Sequence, residues 1–130
     1  MVWSWPGAIA ILLVAMLPVY GPLVPVIEGE VAPVTSKVEF VDVTPLASGG
    51  FTVRMRFTKY RDCEYLGATL DANGMPVDFA PVAGGTPETL STGERLSRPW
   101  FVGATSLDGL RLRWSHRCNP FWTTITVVYP

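Results

Sequence analysis

From residue 37 onward, apolar and polar side chains alternate in short runs, which is the period of a β-strand with one buried face. The clearest run is FTVRMRFTKY at residues 51–60, where the alternate apolar residues are Phe51, Val53, Met55 and Phe57. Similar runs predict strands at residues 37–44, 63–70, 75–82, 98–105, 110–116 and 122–129. Turn sequences separate several of them, including DANG at residues 71–74. Residues 83–97 have no apolar period, which is typical of a long polar loop.

Seven short strands at regular spacing predict an all-β domain, namely an immunoglobulin-like or fibronectin type III-like sandwich. The chain contains 12 prolines and 12 glycines, mostly between the apolar runs, which favours this class over a helical one. Its 130 residues leave room for one domain and a short additional segment.

The first 27 residues follow a different pattern, because none of them is charged and the first charged side chain is Glu28. Their apolar length reaches the ~20 residues that a membrane-spanning helix needs. Prolines interrupt the second half, at Pro18, Pro22 and Pro25, but a spanning helix tolerates them. Aromatic residues fall where a membrane interface would place them, at Trp3, Trp5 and Tyr20. We therefore predict one N-terminal transmembrane helix at residues 1–27.

A cleaved signal peptide is the main alternative, and a buried core helix is a third. A signal peptide would carry a positive charge ahead of its apolar stretch and small residues at its cleavage site. No Lys or Arg precedes Lys37, and the candidate site near Tyr20 is flanked by prolines. An uncleaved anchor is therefore favoured. Residues 28–36, EGEVAPVTS, then form a polar linker to a sandwich domain at residues 37–130.

The stretch HRCNPFWTT at residues 116–124 contains the only histidine and one of the two cysteines. Cys63 begins the third predicted strand, and Cys118 ends the sixth. In an immunoglobulin-like sandwich these strands are antiparallel neighbours, so the two cysteines are predicted to form a disulfide. A disulfide behind an export segment indicates an oxidising compartment. The domain is therefore predicted to face the periplasm, the cell exterior or the surface of a virion.

Two alternatives use the same residues. Cys63, Glu64, His116 and Cys118 could form a metal site, but the closely paired cysteines of a zinc site are absent. A Cys–His nucleophile would need a pocket and an orienting group, for which Asp62 is the candidate. The disulfide is favoured over both, and neither a metal nor a cofactor is predicted.

Two features are candidates for a binding surface. Trp114 and Trp122 are predicted to lie in the core, whereas Phe121 is predicted to be exposed at a loop tip and available as a contact residue. The second feature is a basic surface made of Arg54, Arg56, Arg61, Arg111, Arg113 and Arg117. A solvated sheet face is the simpler interpretation of these arginines. The functional interpretation is contact with anionic lipid headgroups or an acidic partner.

Charge and motifs narrow the function classes. The net charge of −1 gives no general electrostatic reason to bind nucleic acid. The sequence contains no G-x-S-x-G, H-E-x-x-H, phosphate-binding loop or dinucleotide fingerprint. It is therefore predicted to be non-catalytic, with no evident small-molecule substrate.

The motifs KYRDCEYLG at residues 59–67 and HRCNPFWTT at residues 116–124, behind an apolar N-terminal segment, resemble small uncharacterised membrane proteins of bacteriophages and prophages. This resemblance implies a phage or bacterial envelope setting and no particular activity. We therefore expect a membrane-anchored interaction or structural module of an envelope or virion assembly, which binds a protein partner or self-assembles. The alternatives are a small envelope thiol, redox or metal-binding enzyme, and a lysis or exclusion factor that acts on the host membrane.

Overall fold

The computed structural model describes residues 5–83 and 89–130. Trp3 of the predicted aromatic belt and residues 84–88 of the predicted loop lie outside the described residues. The chain begins with α1 (Trp5–Tyr20), a 3-10 helix (Gly21–Leu23) and α2 (Val24–Val31). In the described residues the strands are β1 (Glu39–Pro45), β2 (Phe51–Lys59), β3 (Glu64–Ala72), β4 (Met75–Pro76), β5 (Phe79–Pro81), β6 (Gly93–Leu96), β7 (Trp100–Val102), β8 (Leu110–Arg117) and β9 (Thr124–Tyr129).

The strands form two antiparallel sheets, which confirms the predicted mostly-β architecture. One sheet has the order β1–β2–β7–β5, with β6 also paired to β2, and the other has the order β4–β3–β8–β9. The alternation predicted for residues 51–60 is present, since every second residue of β2 from Phe51 to Lys59 is buried. The same is true of β8 from Leu110 to His116. These inward faces supply much of one apolar core between the sheets.

Two segments differ from the predicted strands. The strand predicted at residues 75–82 is divided between the sheets, because β4 pairs with β3 whereas β5 pairs with β7. Prolines at the ends of both pieces, Pro76 and Pro81, lack the N–H group that would extend either ladder. The predicted polar loop contains β6, which pairs with β2 beyond the end of β7. Most of its sequence, GERL, is exposed, which fits its mainly polar composition.

The DANG sequence forms the predicted hairpin turn between β3 and β4. Ala72 pairs with Met75, which leaves a two-residue turn. Its residues Asn73 and Gly74 have φ angles of +51° and +83°. Positive φ at both positions is typical of a type I′ turn, and Asn-Gly is the pair that adopts it most readily. This short-range prediction is therefore confirmed.

The N-terminal segment differs from the predicted single helix. Pro22 lies in the 3-10 helix and Pro25 in the first turn of α2, so the apolar segment is divided where proline removes helical hydrogen bonds. In the part of the chain that the structure describes, no helix is both long and apolar enough to cross a membrane. The described residues thus do not support a single spanning helix at residues 1–27.

The start of the predicted linker is packed against the domain. α2 continues to Val31, so residues 28–31 are helical and not extended. Gly29 is buried, and a Cβ atom at this position would lie 1.7 Å from the carbonyl oxygen of Ile125 on β9. Only glycine permits this approach of α2 to β9. The helix therefore joins the sandwich through a close contact.

Candidate functional site

Cys63 and Cys118 form the predicted disulfide, with Sγ atoms 2.10 Å apart and Cα atoms 4.7 Å apart. Cys63 precedes β3 and Cys118 follows β8, and the neighbouring residues Glu64 and Arg117 are partners across these strands. The antiparallel pairing therefore brings the cysteines together. Because the sulfurs are bonded to each other, neither is a thiolate available to a metal ion or a substrate in this state. The described residues contain no group of three or more His, Cys, Asp and Glu side chains suited to a metal.

The predicted basic surface is largely neutralised by neighbouring carboxylates. Five of its six arginines lie within 4.0 Å of an acidic side chain, in the pairs Arg54–Asp42 (3.9 Å), Arg56–Glu39 (3.7 Å), Arg61–Glu28 (2.9 Å), Arg113–Asp71 (3.2 Å) and Arg117–Glu64 (3.9 Å). The sixth, Arg111, is exposed and is also the strand partner of Asp71. These pairs favour the interpretation of the arginines as a solvated sheet face.

The two aromatic residues of the β8–β9 turn both point outward. Phe121 is 84% exposed, as predicted for a loop tip. Trp122 is 40% exposed, so its predicted core position is wrong. It precedes β9, so the alternation of that strand does not reach it. The side-chain oxygen of Asn119 accepts hydrogen bonds from the backbone N–H groups of Phe121 (2.9 Å) and Trp122 (3.1 Å), which shapes the turn. Trp114 is 5% exposed, in the core as predicted.

Glu28 joins the helical segment to this turn. One of its carboxylate oxygens lies 2.9 Å from Nη1 of Arg61, and the other accepts a hydrogen bond from the indole N–H of Trp122. The hydrogen bond from Trp122 has the largest effect and lowers the pKa of the Glu28 carboxyl, and the bond from Arg61 lowers it further. Nη1 of Arg61 also lies 2.9 Å from the carbonyl oxygen of Ala32, just after α2. The end of α2 is thus tied to both turns that flank the disulfide.

A cavity of about 310 Å³ lies between the sheets at this end of the sandwich. Its apolar wall is formed by Phe57, Leu90, Leu96, Trp100 and Trp114. Trp100 belongs to β7 in one sheet and Trp114 to β8 in the other, so aromatic rings line both sides. The volume reaches the lower end of the range for small-molecule pockets.

Lys59 is a charged residue of the cavity wall that is almost completely buried. Its side chain follows the inward face of β2, and the residue is only 3% exposed. Nζ lies 2.8 Å from the carbonyl oxygen of Cys63 and also donates to the carbonyl oxygen of Leu90. Burial lowers the pKa of Lys59, Asp62 opposes this shift, and Arg95 adds to it. Cys63 thus takes part in the disulfide and also binds the buried amine of Lys59 through its carbonyl oxygen.

His116 lies in the cavity wall contributed by the other sheet. It is 2% exposed, and its Nδ1 has no hydrogen-bond partner among the described residues. Burial, followed by the charge of Lys59, lowers the pKa of His116 to about 4. The imidazole is therefore neutral at pH 7. Asp62 was the candidate to orient this ring, and Nδ1 of His116 makes no hydrogen bond to it.

The polar part of the cavity wall also includes Thr35 and Tyr65, together with Ser97 and Arg98. Thr35 is 2% exposed, forms a β-bridge with Lys59, and has no partner for its hydroxyl among the described residues. Burial raises the pKa of Tyr65 to about 12, so its phenol stays protonated. An unpaired buried polar group costs about 1–3 kcal/mol, so a fold keeps such groups only against other gains. The cavity combines apolar walls with polar groups that are able to bond a ligand.

The sequence contained one signal for this cavity that motif reasoning missed. Lys59 continues the buried set Phe51, Val53, Met55 and Phe57 at intervals of two, so the alternation alone would place it inside. Nothing in the sequence indicated that Thr35 would join it, because Thr35 pairs with β2 through an isolated bridge. Comparison of the chain with protein-family models, curated protein sequences and solved structures gave no match.

Proposed function

We propose that this protein is a membrane-anchored, non-catalytic interaction module of a bacterial or phage envelope assembly. The observation that carries the proposal is the exposure of helix α1. Six of its apolar side chains are 40–66% exposed, at Ile9, Ile11, Leu12, Leu13, Val14 and Met16. Apolar surface of this extent is stabilised when hydrocarbon or another protein covers it.

The apolar segment has the dimensions of a short anchor. At ~1.5 Å per residue, the 16 residues of α1 extend about 24 Å, which is less than the ~30 Å of a hydrocarbon core. Exposed apolar side chains continue beyond α1 at Leu23, Val26 and Ile27, and Glu28 marks the first charge. A segment that is slightly short is accommodated by local thinning of the bilayer. We therefore propose that the apolar segment from Trp5 to Ile27 lies in lipid.

The contact of α2 with β9 would hold the sandwich at a fixed position on the bilayer. Glu28 binds Arg61 and Trp122, so the turns beside the disulfide lie next to the end of the anchor. Tyr60, Phe121 and Trp122 are 57%, 84% and 40% exposed at this end. Aromatic side chains of this kind are enriched at membrane interfaces. We propose that they contact the headgroup region or a partner beside it.

The strand order supports an immunoglobulin-like assignment for the domain. The orders β1–β2–β7–β5 and β4–β3–β8–β9 correspond to the strand orders A-B-E-D and C′-C-F-G of immunoglobulin-like sandwiches. Sandwiches of this type carry many functions, so the assignment supports a display role and no specific activity. The disulfide fits a domain that faces an oxidising compartment.

The experiment is crosslinking of the full chain in the membrane of a bacterial expression host or in a phage particle. The proteins and lipids recovered with the chain are then identified. We expect the protein in the carbonate-resistant membrane fraction with a stoichiometric protein partner or a second copy. Phe121→Ser should reduce the crosslink, whereas Met75→Ser should not. Met75 is a matched control, because it is 70% exposed at the opposite end of β3.

Release of the protein by carbonate would contradict the anchor. Recovery from the membrane with lipid alone would contradict the assembly role and would favour the action on the membrane itself. Toxicity that disappears when residues 1–27 are replaced by a cleavable signal would add to that second outcome.

A further inference from the structure

The cavity beside the disulfide supports an inference that is independent of the membrane anchor. Most of the space between the sheets is filled by apolar side chains, including Val53, Val102, Leu112 and Val128, which are 0% exposed. At one end this packing stops, and a cavity of about 310 Å³ remains. This corresponds to the volume of about ten water molecules at liquid density. The fold thus leaves a ligand-sized space in a region where sandwiches are otherwise packed.

The cavity wall carries polar groups from both sheets. Lys59 and His116 line the cavity from opposite sheets. Thr35 lies beside Lys59, because these two residues form an isolated β-bridge. The hydroxyl of Thr35 and Nδ1 of His116 are buried and lack a partner among the described residues. Buried polar groups are normally bonded, so unpaired ones in a cavity wall indicate a missing partner. Water or a ligand with hydrogen-bonding atoms would supply it.

The charge at this site favours an anionic ligand. An ammonium group has three N–H donors, and two carbonyl oxygens bind the Nζ atom of Lys59. One donor therefore remains. None of the described residues that line the cavity carries a carboxylate. A carboxylate on a ligand would bind this donor through a charge-assisted hydrogen bond, which is stronger than a neutral one.

The remaining wall selects the rest of the ligand. Trp100 and Trp114 face the cavity from the two sheets, and Phe57 packs against Trp114 with ring centroids 4.7 Å apart. Such walls bind apolar or aromatic groups, and a few polar groups fix the orientation. We propose that the cavity binds a small carboxylate that carries an aromatic or branched apolar group, with the carboxylate at Lys59 and the apolar group between Trp100 and Trp114.

The test is titration of the purified full chain with 3-phenylpropanoate and with its neutral amide, in plain buffer, or in phosphatidylcholine nanodiscs if the chain precipitates without lipid. Calorimetry gives the affinities, and the indole N–H resonances of the tryptophans locate the binding. We expect the acid to bind at least tenfold more tightly than the amide. The resonances of Trp100 and Trp114 should shift, whereas those of Trp5 and Trp122, which do not line the cavity, should not.

Two variants separate the charge from the space. Lys59→Met should weaken binding of the acid at least tenfold and leave the affinity for the amide unchanged. If Lys59→Met does not fold, Leu96→Trp serves instead, because Leu96 lines the cavity but is 45% exposed. The larger side chain should abolish binding of both compounds. Met75→Trp is its control, since Met75 is exposed and lies outside the cavity.

Several results would overturn the proposal. These are equal affinities for acid and amide, no binding of the acid at millimolar concentration, undiminished acid binding by folded Lys59→Met or Leu96→Trp, and shifts at Trp5 or Trp122 in place of the cavity tryptophans. All of these readouts concern the cavity alone. Failure of the membrane or partner experiment would therefore leave this result unaffected, and the reverse is also true.

Discussion

The two ends of the space between the sheets are built on different principles. At the end near the β3–β4 turn, side chains such as Leu70, Leu110 and Leu112 are buried in the apolar core. At the other end, β2 and β8 place Lys59 and His116 on their inward faces. The first end is stabilised by apolar packing. The second contains buried polar groups, a cavity and a disulfide bond.

The disulfide stabilises the polar end, and its removal should have the largest effect. It closes a loop of 55 residues, for which the chain-entropy model gives about 4 kcal/mol. We therefore expect the double variant Cys63→Ala and Cys118→Ala to lose about 4 kcal/mol of unfolding free energy in guanidinium titrations. Reduction of the wild type should produce a similar loss and should not affect the double variant. An unchanged midpoint would mean that the polar end does not need the bond.

Acidification should also act on the polar end. The pKa of His116 is about 4 in the folded protein and 6.5 in the reference state. Because the folded value is lower, the unfolded chain binds more protons between these values. The unfolding free energy that the neutral His116 preserves is therefore fully present above pH 6.5, and it is lost as the pH falls towards 4. A shift of this size corresponds to about 3 kcal/mol.

The measurement is the unfolding free energy at pH 7 and pH 4 for the wild type and His116→Leu. Carboxylates titrate in both proteins, so the difference between the two pH dependences isolates the imidazole. The wild type should lose about 3 kcal/mol more than His116→Leu. Equal losses would show that His116 is not buried in its neutral form.

The sequence predicted the two ends unequally. The alternation in residues 51–60 and 110–116 placed the apolar core correctly, because a period of two and burial of one face are local properties. The Asn73-Gly74 turn was also predictable, since its positive φ angles depend on these two residues. The cysteines were paired through the expected strand order, which is a tertiary property but follows from a common topology.

The cavity was not predicted because it depends on contacts between distant segments. Thr35, Lys59 and His116 come from three parts of the chain, and no spacing in the sequence relates them. Trp122 was misplaced for a similar reason, because its hydrogen bond to Glu28 joins residues 94 positions apart in the sequence. The charge of Lys59 also hid its position, since a lysine is almost never buried without a partner. The carbonyl oxygens of Cys63 and Leu90 are partners that only the fold reveals.

Two substitutions on β9 test the difference between the apolar end and the polar end of the core. Val128 lies in the apolar core at 0% exposure, and Thr126 is 2% exposed on the same face of β9 with an unpaired hydroxyl among the described residues. Val128→Thr should cost about 2 kcal/mol, because it buries a hydroxyl where apolar side chains surround it. Thr126→Val should be neutral or stabilising by up to about 1 kcal/mol. Urea titrations of both variants measure these changes, and a loss in Thr126→Val would reveal a bonded hydroxyl.

Ion pairs should give the smallest effects, and they too should differ between the regions. Arg61 contacts Glu28 at 2.9 Å and the carbonyl oxygen of Ala32, with a side chain 33% exposed. Arg56 contacts Glu39 at 3.7 Å, and its side chain is 57% exposed. Arg61→Gln should cost about 1 kcal/mol because it weakens the joint between α2 and the sandwich. Arg56→Gln should cost less than about 0.5 kcal/mol, the usual effect of an exposed pair. Hydrogen exchange should rise in residues 24–31 of Arg61→Gln alone, and equal protection in both variants would show that the joint does not depend on this arginine.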